Sequence, residues 1–200
     1  MGVTVEKCLQ AWINSLRQMN AKADIVFFGD SLTYYGDFAS VFPGKVVCNL
    51  GLRGDTIRGM IDRVEQVKML EPKQVFLMAG INDVGVKDVI SFKEDYLILI
   101  KSLIKILPKE SLVVQSMLPV NDSVFVISCN NHQIEKYNEL IYSITENFEL
   151  NYLNLYSSYV LDGILPAHYT IDGIHLHPKA YEIWFEIINN NYNNNQCHNG

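Results

Sequence analysis

Apolar positions along this chain follow two rhythms that alternate. Short, nearly unbroken apolar runs occur at Ile25 to Phe28, Lys45 to Leu50, Val75 to Ala79, Leu112 to Met117 and Tyr152 to Leu155. Between them, apolar residues recur at three- and four-residue spacing. One such set is Leu9, Trp12, Ile13 and Leu16, and a second is Ile57, Met60, Ile61, Val64 and Val67. A third comprises Phe92, Tyr96, Leu99, Ile100, Leu103 and Ile104; a fourth, Ile134, Tyr137, Ile141 and Ile144; the last, Ile183, Trp184 and Ile187. Solid runs predict strands buried on both faces, and the spaced sets predict amphipathic helices packed against them. Pro72 ends one helix, Pro119 closes the fourth strand and Pro178 suits the first position of the last helix. Alternating strands and helices of this kind predict an α/β fold, a three-layer α/β/α sandwich with a parallel sheet of about five strands.

The pattern breaks twice. From about Leu161 to Ile174 no period holds, so the segment reads as an irregular connection. From Asn189 to Gly200 nearly every residue is Asn or otherwise polar, and burial cannot offset the entropy of ordering such a tail. The expectation is one domain over residues 1–188, followed by a disordered tail over 189–200. No internal repeat or linker is visible.

Composition narrows the function classes. Two hundred residues with 48% apolar content form a sizeable core without disulfides or metals. The formal net charge of -6 is spread along the chain with no Lys/Arg block, so nucleic acid is not an expected partner. Cys8, Cys48, Cys129 and Cys197 lie far apart with no paired spacing, and buried free thiols are expected rather than a disulfide or zinc framework. No apolar run is long enough for a membrane span. No basic segment followed by an apolar one opens the chain, so no signal peptide is read. The default expectation is the cytoplasm, or a secreted or periplasmic location if a leader has been removed.

The residues that follow the strands change the picture most, because open α/β sheets bind ligands beyond the carboxyl ends of their strands. After the first strand stands Gly29-Asp30-Ser31-Leu32, and after the second Asn49-Leu50-Gly51-Leu52-Arg53-Gly54-Asp55. Gly80-Ile81-Asn82-Asp83 follows the third, and Asp172-Gly173-Ile174-His175 follows the last. Each piece alone reads as a cap or turn. Together they supply a nucleophile, a base with an acid three residues before it, and candidate oxyanion donors at one edge of one sheet. A serine hydroxyl is a weak nucleophile until an imidazole takes its proton, so Ser31 needs His175. Asp172 fixes the imidazole tautomer and stabilises the imidazolium. The backbone N–H groups of Ser31 and Gly54 and the amide of Asn82 are the candidate oxyanion donors.

These four blocks resemble those of the SGNH/GDSL hydrolases, in order and across most of the chain. The resemblance implies a flavodoxin-like sheet, with the family's Ser, Gly, Asn and His on Ser31, Gly54, Asn82 and His175. Leu118-Pro119-Val120-Asn121 and His175-Leu176-His177-Pro178 are similar to a smaller branch. That branch includes platelet-activating factor acetylhydrolase catalytic subunits and bacterial carbohydrate O-acetylesterases.

Other readings of single residues are weaker. His175 and His177 alternate as a metal-binding pair does, but no third ligand stands at a suggestive spacing, so no metal or other cofactor is expected. His177 is expected to line the site from a loop or helix start, and His168 is a loop residue by default. Tyr34 and Tyr35 are read as core aromatics rather than as walls of an acyl pocket. Arg53 and Asp55 are expected to fix the Gly54 loop through backbone hydrogen bonds. No GxSxG surrounds a nucleophile, which disfavours an α/β-hydrolase, and Asp30 would repel a phosphate in a nucleotide-binding loop.

The expected activity is hydrolysis of a short-chain, acetyl-type ester on a small molecule or glycan, because little chain remains for a lid or lipid tunnel. A lysophospholipase or thioesterase, or a non-catalytic glycan- or partner-binding module, remain the alternatives. Oligomeric state, a homodimer included, stays open at this level.

Overall fold

The computed structural model describes residues 21–123 and 129–198, with side chains described up to 194. The helix expected around Trp12 therefore lies outside the described residues, as does Cys8. Five strands form one sheet: β1 (Ile25–Gly29), β2 (Val47–Gly51), β3 (Gln74–Leu77), β4 (Leu112–Gln115) and β5 (Asn151–Leu153). All neighbours are parallel, and the order is β2-β1-β3-β4-β5, the doubly wound order of the flavodoxin type. The direction in which successive strands are added to the sheet reverses between β1 and β3, the switch point at which such sheets open a crevice at the carboxyl ends of their strands.

Seven α-helices are described. They are α1 (Ser31–Tyr34), α2 (Ile57–Asp62), α3 (Val64–Leu70), α4 (Val89–Ile104), α5 (Asn131–Asn147), α6 (Tyr156–Tyr159) and α7 (Tyr181–His198). Caps set several starts. Asp88 accepts the N–H groups of Ile90 and Ser91 ahead of α4, and Asn130 forms a reciprocal capping box with Gln133 ahead of α5.

Strands β1, β3 and β4 read as continuous apolar runs because each buries both faces, whereas the edge strands β2 and β5 are partly exposed. Val26, Phe28, Val75, Leu77, Leu112 and Val114 join one core cluster with α2 to α5. Ile25, Phe27, Phe76 and Val113 join the other with α7 and the segment around Phe38 and Phe42. In the second layer Phe27 stacks between Phe38 and Phe76 at centroid distances of 3.9 and 4.9 Å. Truncating so buried a ring costs about 3–5 kcal/mol. Trp184 of α7 is fully buried, and its indole N–H donates to Gln115 at 2.7 Å, so two core polar groups satisfy each other.

Two expectations change here. Helix α7 continues through Asn189 to His198, where polar composition predicted no structure. Tyr192 packs edge-on against Phe42 at 5.1 Å, and Asn193 donates to Asn189 at 3.2 Å, so one apolar anchor within the Asn run extends the helix. Tyr34 and Tyr35, read as core, are 50% and 47% exposed. They sit at the end of α1, where the chain has already left the sheet. Of the cysteines, Cys129 is buried and Cys48 half-buried, both as free thiols.

Candidate active site

Strand β1 ends at Gly29 and turns straight into α1, with Asp30 as its cap, accepting the Leu32 N–H at 2.9 Å. This places Ser31 at the first helical position on the carboxyl edge of a central strand. The turn needs close backbone approach, because a Cβ on Gly51 of the neighbouring strand would lie 2.2 Å from the Tyr34 nitrogen. Asn49 locks the same corner: its amide donates to Thr33 and Gly36 carbonyls at 2.8 and 3.0 Å, and its oxygen accepts the Gly51 N–H.

The C-terminal loop brings the other two residues. Thr170 and Leu176 form an isolated antiparallel bridge, and the tight turn between them is folded by its own hydrogen bonds. Thr170 Oγ1 donates to the His175 carbonyl at 2.9 Å and accepts the Gly173 N–H at 2.8 Å. From β4's following loop, the Asn121 N–H reaches the Gly173 carbonyl at 2.8 Å. Within this turn Asp172 accepts the backbone N–H groups of Ile174 and His175, and its Oδ2 lies 2.6 Å from His175 Nδ1. The other ring nitrogen, Nε2, lies 2.9 Å from Ser31 Oγ. With Nδ1 protonated towards Asp172, Nε2 is left to accept the Ser31 proton, the tautomer that nucleophilic catalysis requires.

Gly54 occupies the third position of a four-residue turn closed by the Asp55 N–H on the Leu52 carbonyl, and its φ of +71° favours glycine. Among the described residues no protein acceptor takes the N–H of Gly54 or of Ser31. The Asn82 amide donates to the Asp55 carbonyl at 2.8 Å, which fixes that side chain beside the Gly54 turn and leaves its second N–H to another acceptor. His175 thus contacts both Ser31 and Asp172, and Gly54 and Asn82 are tied together through Asp55.

A family comparison adds to this geometry. The family model described as GDSL-like lipase/acylhydrolase matches residues 27–183, which include all five of these residues. The chain belongs to the GDSL-like lipase/acylhydrolase family. Solved structures share its fold at 20% sequence identity. A Streptococcus pneumonia protein provisionally named a platelet activating factor has a TM-score of 0.77 at 20% identity, over 95% of this chain and 99% of the other. A GDSL-like lipase from Bacteroides thetaiotaomicron gives 0.76 at 20% identity over 91% and 95%. The acetyl xylan esterase AlAXEase gives 0.70 at 20% identity over 82% and 96%. A search of curated protein sequences returns no significant match.

Three features of this GDSL-like acylhydrolase were not apparent from its motifs. The first is Arg63, buried beneath the Gly54 turn. Its guanidinium donates to Asp55 at 2.7 Å, to the Leu50 and Gly29 carbonyls at 2.7 and 2.9 Å and to Gln66 at 3.3 Å, and it stands 4.4 Å over the Phe28 ring. Burial pushes the Asp55 carboxyl upward, and the adjacent guanidinium pulls it back. The second is Asp83, fully buried, which accepts the Ile57 N–H at 2.9 Å and pairs with Lys87 at 2.7 Å. The third is Asp30, fully buried, with its Oδ2 unpartnered among the described residues. Burial pushes its carboxyl up to about 7, against the pull of the Leu32 N–H. Asp172 goes the other way: burial works to raise it, but the His175 ring and the two backbone N–H groups hold it below its ordinary value.

Two minor expectations are also corrected. Arg53 does not brace its loop by backbone hydrogen bonds; its guanidinium lies 5.7 Å over the Tyr35 ring, and Asp55 with Arg63 does the bracing. Tyr35 in turn meets the His175 ring edge-on at 5.6 Å, so it borders the site. His177 is the cap residue of the short turn at Pro178, and its N–H donates to the Tyr169 carbonyl at 2.8 Å. Among the described residues, no cluster of three His, Cys, Asp or Glu side chains is placed to hold a metal. No described helix is long and apolar enough to cross a membrane.

Proposed function

We propose that this protein is a serine esterase that removes short acyl groups, acetyl foremost, from a carbohydrate ester through an acyl-Ser31 intermediate. The observation that carries the reading is the continuous chain from Ser31 Oγ through His175 to Asp172, at 2.9 and 2.6 Å. In the first step Ser31 Oγ bonds to the ester carbonyl carbon while its proton passes to His175 Nε2. The negative charge on the carbonyl oxygen is met by the Ser31 and Gly54 N–H groups and the Asn82 amide. The bond to the alcohol then breaks, and His175 returns the proton to the departing oxygen. Water repeats the sequence on the acyl-serine, releasing the carboxylate and restoring Ser31.

Support for a small acyl group comes from the cavity beside the triad, an open cleft of about 360 Å³ bordered by Tyr35, Ile171, Asp172, His175, Leu176, Pro178 and Tyr181. The cleft suits a compact, partly polar ester better than an extended acyl chain. The likeness in fold to an acetyl xylan esterase favours a sugar as the alcohol half.

The test is a p-nitrophenyl ester series from acetyl to octanoyl, with Ser31→Ala as the control, followed by release of acetate from acetylated xylan. The reading expects kcat/KM to peak at acetyl and Ser31→Ala to be inactive though folded. A peak at the longest chains would reassign the protein to lipid ester hydrolysis, and an active, folded Ser31→Ala would remove the proposed nucleophile.

A further inference from the structure

Arg53 is set apart from the other cations near the site. Of the three arginines among the described residues, Arg58 pairs with Asp95 at 2.5 Å and Arg63 with Asp55 at 2.7 Å, and neighbouring Lys87 bridges Asp83 and Asp95. Among the described residues no carboxylate pairs with Arg53. It is exposed at the tip of the turn that presents Gly54, and that turn is rigid from below. The Leu52 N–H binds the Gly29 carbonyl, the Asp55 N–H closes the turn, and Arg63 and Asn82 hold Asp55.

The guanidinium is steered by Tyr35, whose ring it overlies at 5.7 Å, and that ring lies 5.6 Å from the His175 ring as part of the cleft wall. A contact with an aromatic ring satisfies none of the five N–H donors of an arginine. Those donors therefore remain for a ligand, in the fork arrangement that matches a carboxylate or a phosphate. Asp172 is the carboxylate of the cleft, and its charge is occupied by the His175 ring and two backbone N–H groups.

From this placement we infer that Arg53 selects esters whose alcohol half carries an oxyanion, a carboxylate or a phosphate. The inference rests on the esterase reading for its substrate, and a binding measurement tests it independently of turnover. An anion on the alcohol half that reaches the Tyr35 wall of the cleft meets a guanidinium that no described carboxylate pairs, on a prearranged support. Pre-positioning by Tyr35 lowers the entropy lost on forming the ion pair.

The experiment compares matched acetyl esters that differ only in the charge of the alcohol half. One pair is the acetylated methyl glucuronoside against the acetylated methyl glucoside, and the other is acetylglycerol phosphate against acetylglycerol. The anionic-to-neutral ratio of kcat/KM is expected to exceed one in at least one pair and to fall about tenfold in Arg53→Gln, the loss of one charge-assisted contact at an open site. Arg53→Lys should keep part of the preference, and added salt should erode it in the wild type. Whichever pair shows the effect identifies the anion. A ratio near one in both pairs, or a ratio that Arg53→Gln leaves unchanged, overturns the inference. Calorimetric titration of Ser31→Ala protein, with and without Arg53→Gln, by the same four compounds measures the selectivity without turnover, so it decides the role of Arg53 even if the esterase reading fails.

Discussion

The loops that carry Ser31 and Gly54 are anchored by a buried ion pair, whereas the loop that carries Asp172 and His175 is anchored by hydrogen bonds from buried Thr170 and Asn121 and within its own turn, with no ion pair beneath it among the described residues. Arg63 gathers two backbone carbonyls, Gln66 and Asp55 beside the Ser31 turn, all of them largely buried. On the base side, Thr170, Asn121 and the backbone of residues 170–176 supply the restraint. A charge network in low dielectric resists deformation but fails at high cost when one partner is lost, and a self-folded turn costs less to disturb. The division suits the proposed chemistry, in which the proposed oxyanion donors must not move while the His175 imidazole exchanges a proton with two partners in turn.

Breaking the charged side should give the largest effect. Arg63→Ala leaves Asp55 buried without its counterion and is expected to lose about 3–5 kcal/mol in denaturant unfolding. A loss under about 1 kcal/mol would mean that the network is not the anchor. Next comes Asn82→Ala, expected to lower kcat by roughly 10² to 10³ with KM little changed. If the variant is instead merely less stable and fully active, Asn82 only braces the Asp55 carbonyl.

The two site carboxylates sharpen the contrast through pH. Asp30 has its folded pKa raised to about 7 from an unfolded 3.8. The folded state therefore binds more protons between these values, and Asp30's contribution to stability falls as pH rises from about 4 to about 7. Asp172 is lowered, so its contribution has the opposite slope and is lost as pH falls below the ordinary carboxylate range. Asp30→Asn keeps the capping oxygen and should flatten the fall, with a slope change of at most about 1.4 kcal/mol per pH unit. Identical pH profiles for wild type and variant would place the charge elsewhere. The smallest effect is expected for Thr170→Val, about 1–2 kcal/mol of stability, with kcat falling because the His175 turn loosens. A variant as active as the wild type would show that Asn121 and the backbone suffice.

The parts of this design differ in how legible they were from sequence. Strands β1, β3 and β4 show as solid apolar runs because both faces are buried, and the Ser31, Gly54, Asn82 and Asp172/His175 blocks stand where strands end. Arg63 gave no such signal: an arginine on an amphipathic helix reads as a solvated side chain, and its partners lie on three separate segments. Asp30 read only as a cap residue, since nothing local announces that the β1 turn buries it completely. Asn-rich composition hid the continuation of α7, which depends on Tyr192 finding Phe42, a residue distant in the chain but in the same layer. In each case the missing information is a long-range contact rather than a local preference.

The central claim is that Ser31, activated by His175, carries the acyl group between ester and water. Peptide mass spectrometry on protein quenched in acid during turnover of p-nitrophenyl acetate tests it directly. The account predicts an acetyl group on Ser31 in the wild type, absent from His175→Ala under the same conditions. Product release with no acyl group on Ser31 at any time, or with the acetyl group on another residue that turns over, would contradict it.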